Sequence, residues 1–370
     1  MRIGILTYHF GTNFGGQLQC YALFKTLEYL GHQPVIINYT PQNYKNNFWG
    51  DIKLCLKKLF SRENNRITLA LTSIFYSHRM RKRFSTFRHV NLIIGPRCQL
   101  ANFSVFYNKL DAVVVGSDQV WAPAHHNTGA YFLNFSPHFN LKKIAYAPCC
   151  AINKIELKYR AKISRLLADF DSLSARNIET QDFVYDLIGK KVEIVADPTV
   201  LYDFNDLHSS RLPMSKYVLV YILGDDINGG HYPIIKSINE IYQGLPIYVM
   251  SLTNGKAKYF SWASKTYWDL APNDWVDFIR HASFVYTDSF HGVMFSLKFN
   301  IPFLAYYKEK IRASRFIDLK KRFDLNNIID SSENVNPTFI STSQPDFFKI
   351  NARLLLMKHD SIDYLKKALS

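Results

Sequence analysis

The chain has 370 residues, of which 48% are hydrophobic and 15% aromatic, and this length favours two domains of ordinary size, each with a sizeable core. The composition excludes wholesale disorder, and because no apolar run reaches about 18 residues, no membrane-spanning helix is predicted. The formal net charge of +15 bears on partners more than on fold, and it leaves nucleic acid, an anionic membrane and phosphorylated substrates as candidate partners.

The first forty residues predict a βαβ unit. We predict a buried strand at RIGILTY, a helix at GGQLQCYALFKTLEYLG with Gly31 as its stop, and a second strand at PVIINY. Strand, helix and strand in close succession indicate a parallel sheet covered by helices. The N-terminus lacks the apolar region and the small-residue cleavage site of a signal peptide, so the predicted location is the cytoplasm.

A basic segment interrupts this alternation. Eleven lysines and arginines lie between Lys53 and Arg97, against a single acidic residue, and we predict a basic helical insertion at about 45–97. In DIKLCLKKLF the apolar residues share one helical face and the lysines lie off it. This pattern is typical of a helix on an anionic membrane surface, which predicts a peripheral membrane contact through 52–97. An ordinary amphipathic surface helix is the alternative.

After this insertion, strands and helices alternate with short connections. Strands are predicted at LDAVVVGSD, KKIAYAP, DSLSAR, VEIVADPTVL, KYVLVYIL, LPIYVMS, SFVYTD and IPFLAYY. One of the helices between them is NDWVDFIRHA, with Asn273 as its N-cap. We predict an N-terminal α/β domain at 1–203, a C-terminal α/β domain at 214–330, and a polar segment with a terminal helix of undefined docking at 331–370. The fold class is therefore α/β, with two Rossmann-like parallel-sheet domains that face a cleft.

In open parallel sheets, ligands bind beyond the carboxyl ends of the strands, so the residues just after predicted strands are the candidates for function. His291 follows SFVYT and lies in the first turn of a predicted helix that Asp288 or Ser289 caps. The positive end of a helix suits an anion, and an imidazole there can donate a hydrogen bond or move a proton. The alternative is a histidine that only helps to cap the helix.

A second candidate group follows the strand VVV in GSDQVWAP. Gly116 allows a close backbone approach, while Ser117 and Asp118 can cap the next segment. Trp121 offers a flat face of the kind that stacks on a sugar, and a turn followed by a core tryptophan is the alternative. The glycine-rich turn GTNFGGQLQ matches neither the dinucleotide fingerprint nor the phosphate loop, because no lysine follows Gly16.

Basic residues follow two further strands. Arg176 comes after DSLSA, and a basic group comes after IPFLAYY: Lys308, Lys310, Arg312 and Arg315. Arginines at sheet ends suit bidentate recognition of carboxylate or phosphate, with surface charge as the alternative. Neither H-E-x-x-H nor a clustered ligand set is present, so no metal is predicted. The five cysteines lack C-x-x-C spacing, which favours reduced thiols.

The motifs GSDQVWAP, AYAPCC, SARN, DPTVL and TDSFHGVMFSLKFNIPF occur in this order. Together they resemble the polysaccharide pyruvyl transferase family, whose members typically carry G-S-D-Q-V-W-N-P and S-D-S-F-H-G. NFGGQLQCYAL looks like the N-terminal motif of that family, and the resemblance spans about residues 1–325. Ala122 stands where the family usually has asparagine, and SARN replaces the commoner S-V-R-[DE].

The resemblance implies a fold similar to the two-domain GT-B glycosyltransferases. It also implies transfer of a pyruvyl group from phosphoenolpyruvate to a sugar, commonly as a ketal, during synthesis of a surface polysaccharide such as a capsule or exopolysaccharide. No cofactor is implied, and the acceptor is expected to be a lipid-linked oligosaccharide. The expected acceptor side is 1–203 and the expected donor side 214–330.

The same resemblance implies that His291 and Arg176 belong to the donor site, together with a downstream basic residue that Lys308, Arg312 or Arg315 could supply. The expected donor-binding residues are Arg176, Ser289, Gly292, Lys308, Arg312 and Arg315. The expected acceptor-binding residues are Asn13, Gly15, Gly16, Gln17, Ser117 and Trp121. Phosphoenolpyruvate is highly negative, and the basic residues among the expected donor ligands would match its charge. Our hypothesis makes His291 the general acid, or the group that protonates the departing phosphate, and Asp118 the residue that orients or deprotonates the acceptor hydroxyls.

Two rival functions are compatible with parts of the sequence. A GT-B glycosyltransferase with a nucleotide-sugar donor would use the same strand ends for a diphosphate. A nucleic-acid-binding protein is suggested by charge alone, but the basic residues lack a recognisable reading motif and the strand-end residues would then be unexplained. We therefore predict a pyruvyl transferase that does not bind nucleic acid.

Overall fold

The computed structural model describes residues 1–41, 66–134, 141–152, 154–224, 227, 229–252, 260–308, 310–331 and 335–370, and for 66–74 and 310–312 it describes the backbone only. The predicted interfacial helix at DIKLCLKKLF lies outside the described residues. Within the described ranges, no helix combines the length and apolar character needed to cross a bilayer.

The described residues fall into two compact units. The first unit takes those within Met1–Tyr44, Arg88–Asp203 and Leu354–Ser370, and the second unit takes those within Lys45–Phe87 and Phe204–Arg353. Each unit has a core of its own, built from the inward side chains of one sheet and its helices.

The first unit is built on a seven-stranded sheet in the order β3-β2-β1-β4-β5-β6-β7, with every pair parallel. Its elements are β1 (Arg2–Leu6), α1 (Phe14–Tyr29), β2 (Gln33–Tyr39), the end of α2 (Arg66–Asn91), β3 (Ile94–Cys98), α3 (Phe103–Tyr107), β4 (Ala112–Val115), β5 (Lys142–Ala145), α4 (Leu157–Ala168), β6 (Ser172–Ala175), α5 (Ile178–Ile188), β7 (Glu193–Ile194) and α6 (Pro198–Leu201). The central strand β4 reads AVVV and is wholly buried, as expected for a strand covered on both faces.

The second unit is built on a six-stranded parallel sheet in the order β10-β9-β8-β11-β12-β13. Its elements are β8 (Val218–Tyr221), α7 (Tyr232–Ile241), β9 (Ile247–Met250), β10 (Lys265–Tyr267), α8 (Pro272–Arg280), β11 (Phe284–Thr287), α9 (Phe290–Lys298), β12 (Phe303–Tyr307), α10 (Lys310–Phe323), β13 (Ile328–Asp330), α11 (Pro337–Thr342) and the start of α12 (Phe347–Leu369). The predicted fold class, two Rossmann-like parallel-sheet domains, is confirmed.

One predicted cap is wrong. Helix α8 begins at Pro272, and its N-cap is Ala271, because proline has no N–H to satisfy and its fixed φ suits the first helical position. The Asp274 carboxylate accepts the Ala271 N–H at 2.9 Å. Asn273 lies inside the helix and donates its side-chain amide to the His208 carbonyl.

The basic insertion packs differently from the prediction. Of its described residues, 66–87 group with the second unit and not with the N-terminal domain. Charge explains this placement, since Arg79 and Arg83 of α2 meet the buried Asp269 carboxylate at 3.0 and 3.6 Å, together with Arg211 at 3.0 Å. Burial makes that carboxylate dependent on its cationic partners.

The C-terminal helix α12 ends in the first unit. The Tyr364 hydroxyl donates to the Ala145 carbonyl at the end of β5 at 2.8 Å. The Ser361 hydroxyl accepts the Ala196 N–H just after β7 at the same distance. Residues 354–370 therefore brace the carboxyl ends of two strands, a docking that the sequence left undefined.

Candidate functional site

Each sheet has one point at which the strand order reverses. In the first unit β1 and β4 are neighbours, and in the second unit β8 and β11 are neighbours. The loops after such a pair diverge to opposite sides of the sheet, which opens the crevice where ligands bind in doubly wound folds. The predicted site residues Ser117 and Asp118 follow β4, and Ser289 and His291 follow β11.

Buried side chains bridge the two loops at the first of these points. Thr7, after β1, donates its hydroxyl to the Ser117 carbonyl at 3.1 Å. Gln19 accepts the Ser117 N–H at 3.1 Å and donates to the Thr7 hydroxyl at 2.9 Å. The Ser117 hydroxyl in turn donates to the Ala147 carbonyl after β5 at 2.7 Å. Ser117, predicted to bind the acceptor, therefore ties three strand ends together.

Gly116 makes the close backbone approach that the sequence predicts, and the approach is to the neighbouring strand end. A Cβ on Gly116 would lie 2.1 Å from the Tyr146 carbonyl oxygen, and its φ is +115°. Only glycine fits such a position. Asp118 follows with a left-handed φ of 70°, a conformation that aspartate tolerates better than most residues.

A buried ionic network connects Asp118 with the predicted donor residue Arg176. The Arg176 guanidinium contacts Asp197 at 2.9 Å and Asp118 at 3.5 Å. Burial acts to lower the pKa of Arg176, but Cys149 and the two carboxylates outweigh it and raise this pKa above its ordinary value. Arg176 therefore carries its charge at every accessible pH.

Exposure separates the members of this network. The side chains of Arg176 and Asp197 are 4% and 1% exposed, whereas that of Asp118 is 12% exposed. Asp118 is consequently the member best placed to meet a substrate, and Asp197 makes the shorter contact that anchors the guanidinium. The network therefore brings together two predicted site residues, Asp118 and Arg176.

Asp197 is a functional candidate that the sequence analysis missed. Its Oδ1 accepts the N–H and the hydroxyl of Thr199 at 3.0 and 2.8 Å, which caps α6, and its Oδ2 accepts from Arg176. The motif DPT carries the signal for the cap, because aspartate before proline is a common helix start. Nothing local in that motif indicates the arginine.

Trp121 does not have the predicted role. It is 0% exposed, its ring stacks on Phe132 with centroids 5.3 Å apart, and its indole N–H donates to the Tyr131 carbonyl at 2.9 Å. Both ring faces are covered by the core, so the alternative of a core tryptophan is the correct one, and the indole cannot stack on a sugar.

The glycine-rich turn before α1 is held by its own side chains. Exposed Asn13 is the N-cap of α1 and accepts the Gly16 N–H at 3.1 Å. Gly15 is buried. Gln17 is also buried, and its side-chain oxygen accepts from Arg88 at 3.5 Å. These four residues, which were predicted to bind the acceptor, shape the turn that follows β1.

At the second crevice Asp288 links the loops after β8 and β11. Its two carboxylate oxygens accept the N–H groups of Leu223 and Gly224, each at 2.6 Å. The Thr287 hydroxyl donates to the Tyr221 carbonyl at 2.6 Å. Asp288 therefore fixes the neighbouring loop, which leaves the capping of α9 to the next residue.

Ser289 is that cap. Its hydroxyl accepts the Gly292 N–H at 3.2 Å. The N–H of Gly292, a residue predicted to bind the donor substrate, therefore makes a hydrogen bond within the first turn of the helix. A Cβ on Gly292 would lie 2.7 Å from the Thr287 hydroxyl oxygen. Glycine therefore allows the helix start to pack closely against the end of β11.

His291 lies in the first turn of α9 and is 7% exposed. Its ring meets the Phe290 ring edge-on with centroids 5.2 Å apart. The Arg315 guanidinium carbon lies 5.9 Å from the Phe290 ring centroid, so one phenyl ring contacts both a cation and the candidate acid. Lys308 is exposed after β12.

In the described part of the chain, most of the predicted donor residues lie in the second unit, and one lies in the first unit. Ser289, Gly292, His291 and Arg315 form one cluster in the second unit, and Arg176 belongs to the first unit. The side chains of Lys310 and Arg312 lie outside the described part. Among the described residues, no group of three His, Cys, Asp or Glu side chains suits a metal ion.

Solved structures with a similar fold include Arabidopsis thaliana UGT89C1 complexed with UDP, with a TM-score of 0.51 and 10% identity, covering 100% of this chain and 99% of that chain. The same protein complexed with UDP-L-rhamnose has a TM-score of 0.50 and 10% identity, and the match covers 98% of this chain and 97% of that chain. A structure described as a putative UDP-N-acetylglucosamine 2-epimerase from Listeria monocytogenes has a TM-score of 0.45 and 11% identity, and the match covers 99% of this chain and 90% of that chain. The likeness to UGT89C1 shows a GT-B-like fold and nothing further.

A comparison with curated proteins finds no match. The sequence model of the family described as "Polysaccharide pyruvyl transferase" matches residues 13–307. That range includes β4 and the second crevice, the buried network around Arg176 and the helix start at His291, and it covers most of the chain. The chain belongs to the polysaccharide pyruvyl transferase family.

Proposed function

We propose that the protein transfers a pyruvyl group from phosphoenolpyruvate to a sugar, forms a ketal with two sugar hydroxyls, and releases phosphate. Family membership supports the reaction class. The observation that carries the proposal is the position of the candidate acid and base. His291 and Asp118 each follow a central strand at the point where the strand order of their sheet reverses, which is where doubly wound sheets bind ligands.

The reaction needs one proton delivered and two removed. His291 protonates the methylene carbon of the enol, which leaves C2 cation-like, and a sugar hydroxyl adds to C2 while Asp118 accepts its proton. The bond from C2 to the phosphate oxygen then breaks, and a second hydroxyl closes the ketal and gives its proton to the departing phosphate. The products are the ketal and inorganic phosphate.

The proposed donor contacts combine cations with a helix start. His291 and Arg315 flank Phe290, and the positive end of α9 favours an anion at its first turn.

We also propose a lipid-linked acceptor presented at the inner face of the cell membrane. On α2 the Phe75 ring is 58% exposed, and the Arg79 guanidinium carbon lies 5.5 Å from its centroid. Arg79 is held by Asp269, so the membrane proposal rests on the exposed ring and on the other basic residues of the segment, which suit the interface of an anionic bilayer. A protein at that surface would meet a membrane-anchored sugar directly.

The proposal is tested by incubating the protein with phosphoenolpyruvate and a panel of aryl glycosides and lipid-linked glycosides in anionic vesicles. We expect phosphate release together with a product heavier than the acceptor by phosphoenolpyruvic acid less phosphoric acid. His291→Ala should lower kcat by at least about 10²-fold, since it removes an acid–base group. His291→Gln, with a thermal melt of each variant, separates lost chemistry from lost folding.

The matched control is His359→Ala, because the His359 side chain is 72% exposed on α12 and should be dispensable. Near-wild-type turnover in both His291 variants would contradict the assigned acid. Consumption of a nucleotide sugar, with phosphoenolpyruvate left intact, would contradict the proposed function itself and favour a glycosyltransferase.

A further inference from the structure

With Trp121 in the core, the carboxyl edge of the first sheet still offers aromatic rings beside Asp118. Tyr8 and Phe10 follow β1, His125 lies in the loop after β4, and all three are partly exposed. The Tyr8 ring meets Phe10 at 5.9 Å and His125 at 5.6 Å between centroids. These three side chains form one cluster, which we call the aromatic platform.

Two contacts fix the aromatic platform next to the ionic network. The Tyr8 hydroxyl donates to the carbonyl of Gln119 at 3.0 Å, the residue that directly follows Asp118. The same hydroxyl contacts the Nε2 atom of His125. The platform and the candidate base therefore belong to the same pair of loops, at the crevice between β1 and β4.

A buried ring supports the platform from below. Tyr131 is 0% exposed and packs edge-on against Tyr8 and His125, with centroids 5.6 and 4.8 Å apart. The platform rings rest on a packed core and hold their orientation without a ligand. Preorganised rings lose little entropy when a ligand binds.

The chemistry of the platform suits a neutral sugar better than the anionic donor. Burial, more than the neighbouring His126, lowers the pKa of His125 to about 4, so the imidazole is uncharged at neutral pH. Tyr8 and Phe10 are uncharged as well. Aromatic faces pack on the C–H faces of a pyranose, while the hydroxyl and the imidazole can exchange hydrogen bonds with sugar hydroxyls. A phosphate would find no cation here among these three residues.

We propose that Tyr8, Phe10 and His125 form the acceptor subsite and hold a neutral pyranose with two of its hydroxyls beside Asp118. This assignment rests on the proposed pyruvyl transfer. It explains why Asp118 is the most exposed member of its network, since the sugar must reach that carboxylate. Phe10 supplies a stacking face, and Tyr8 and His125 select the orientation of the ring.

The test uses Phe10→Ala and Tyr8→Phe in the full chain, with the aryl glycoside of the panel that gives the highest turnover. We expect Phe10→Ala to raise the acceptor KM about tenfold or more, the loss of a stacking contact worth about 1.4 kcal/mol, and to leave the phosphoenolpyruvate KM unchanged. Tyr8→Phe keeps the ring and loses the hydroxyl, so it should raise the acceptor KM less. The control is Phe106→Ala, a ring 40% exposed elsewhere in the same unit, which should change neither KM.

The acceptor subsite and the proposed pyruvyl transfer can be tested separately by measuring the binding of the same glycosides without donor, with saturation-transfer NMR as the readout. If the wild type transfers pyruvate while both platform variants keep its acceptor KM, the subsite is refuted and the proposed function stands. If the wild type consumes no phosphoenolpyruvate, the proposed function fails. Glycoside binding that Phe10→Ala weakens would then support the subsite, and binding that this change leaves intact would refute it.

Discussion

At the scale of single residues, Asp197 is the side chain on which the first crevice depends. It is 1% exposed, it anchors Arg176 at 2.9 Å, and it caps α6 through Thr199. Removing its charge takes from the buried guanidinium the shorter of its contacts with the two carboxylates. We expect Asp197→Asn to lower the free energy of unfolding by about 3 kcal/mol or more, as is typical when one partner of a buried pair is removed. Urea denaturation measures this loss.

The matched control for this change is Asp203→Asn in the same unit. Asp203 pairs with Lys358 at 3.2 Å, but the carboxylate is 63% exposed, so the same chemical change should cost less than about 1 kcal/mol. Equal losses for the two variants would show that the network does not depend on the buried ion pair.

The positions of candidate residues were predictable from the sequence where those residues directly follow a strand. His291 and Asp118 were found because polar residues after apolar strands stand out, and the structure places both at the reversal points of their sheets. Trp121 was ambiguous because sequence spacing does not reveal whether Phe132 covers the ring. Asp197 could not be found, since its partner Arg176 is twenty-one positions away and no local pattern links them.

At the scale of elements, the described part of α2 docks through a cluster of charges. Arg79, Arg83 and Arg211 converge on the Asp269 carboxylate, which is 3% exposed. Asp269→Asn would remove the counter-charge that all three arginines share, and would leave Arg83 and Arg211 with Asp274 at 3.9 and 4.0 Å. We expect the free energy of unfolding to fall by about 3 kcal/mol and α2 to become more accessible, which hydrogen exchange over residues 75–87 would show.

Asp346→Asn is the control for that experiment, because Asp346 pairs with Lys349 in the same unit at the surface, with the carboxylate 53% exposed. We expect almost no loss of stability from it. Unchanged exchange over 75–87 in Asp269→Asn would mean that the Asp269 carboxylate does not hold α2.

Helices and long strands were predictable because their apolar periodicity is strong, and the parallel fold class followed from their alternation. The strands β3, β10 and β13 were not predicted. They are three to five residues long and all three lie at sheet edges, where the apolar signal is weak. The start of α8 was misplaced by two residues, because Asn273 looked like a cap while Pro272 already occupied the first turn.

At the scale of the whole molecule, the presence of two parallel-sheet domains was predictable from the sequence. Which segments of the chain make up each domain was not predictable. The bond from Tyr364 to Ala145 spans 219 positions, and it assigns the end of the chain to the first unit. The arginines of α2 assign part of the insertion to the second unit. Contacts of this range depend on three-dimensional packing, so local patterns of charge and hydropathy cannot reveal them.

Acid should destabilise the whole protein through histidines of the first unit. Burial is the main cause that lowers the pKa of His9 and His126 and lowers that of His125 from 6.5 to about 4. As pH falls below about 6.5, the unfolded chain binds protons that the native state does not, so the free energy of unfolding falls between about pH 6.5 and 4. For His125 alone the loss at pH 4 is about 2–3 kcal/mol.

This pH dependence can be assigned by comparing His125→Asn with the wild type in urea denaturation at pH 7, 5.5 and 4.5. The variant should be less stable than the wild type at pH 7, where it loses the contact with Tyr8, and it should lose less stability on acidification because it has one fewer group to protonate. His359→Asn, at an exposed site, should show the wild-type pH slope. A His125 imidazole that titrates near pH 6.5 by NMR would contradict the argument, because a group with the same pKa in the native and unfolded states contributes no pH dependence.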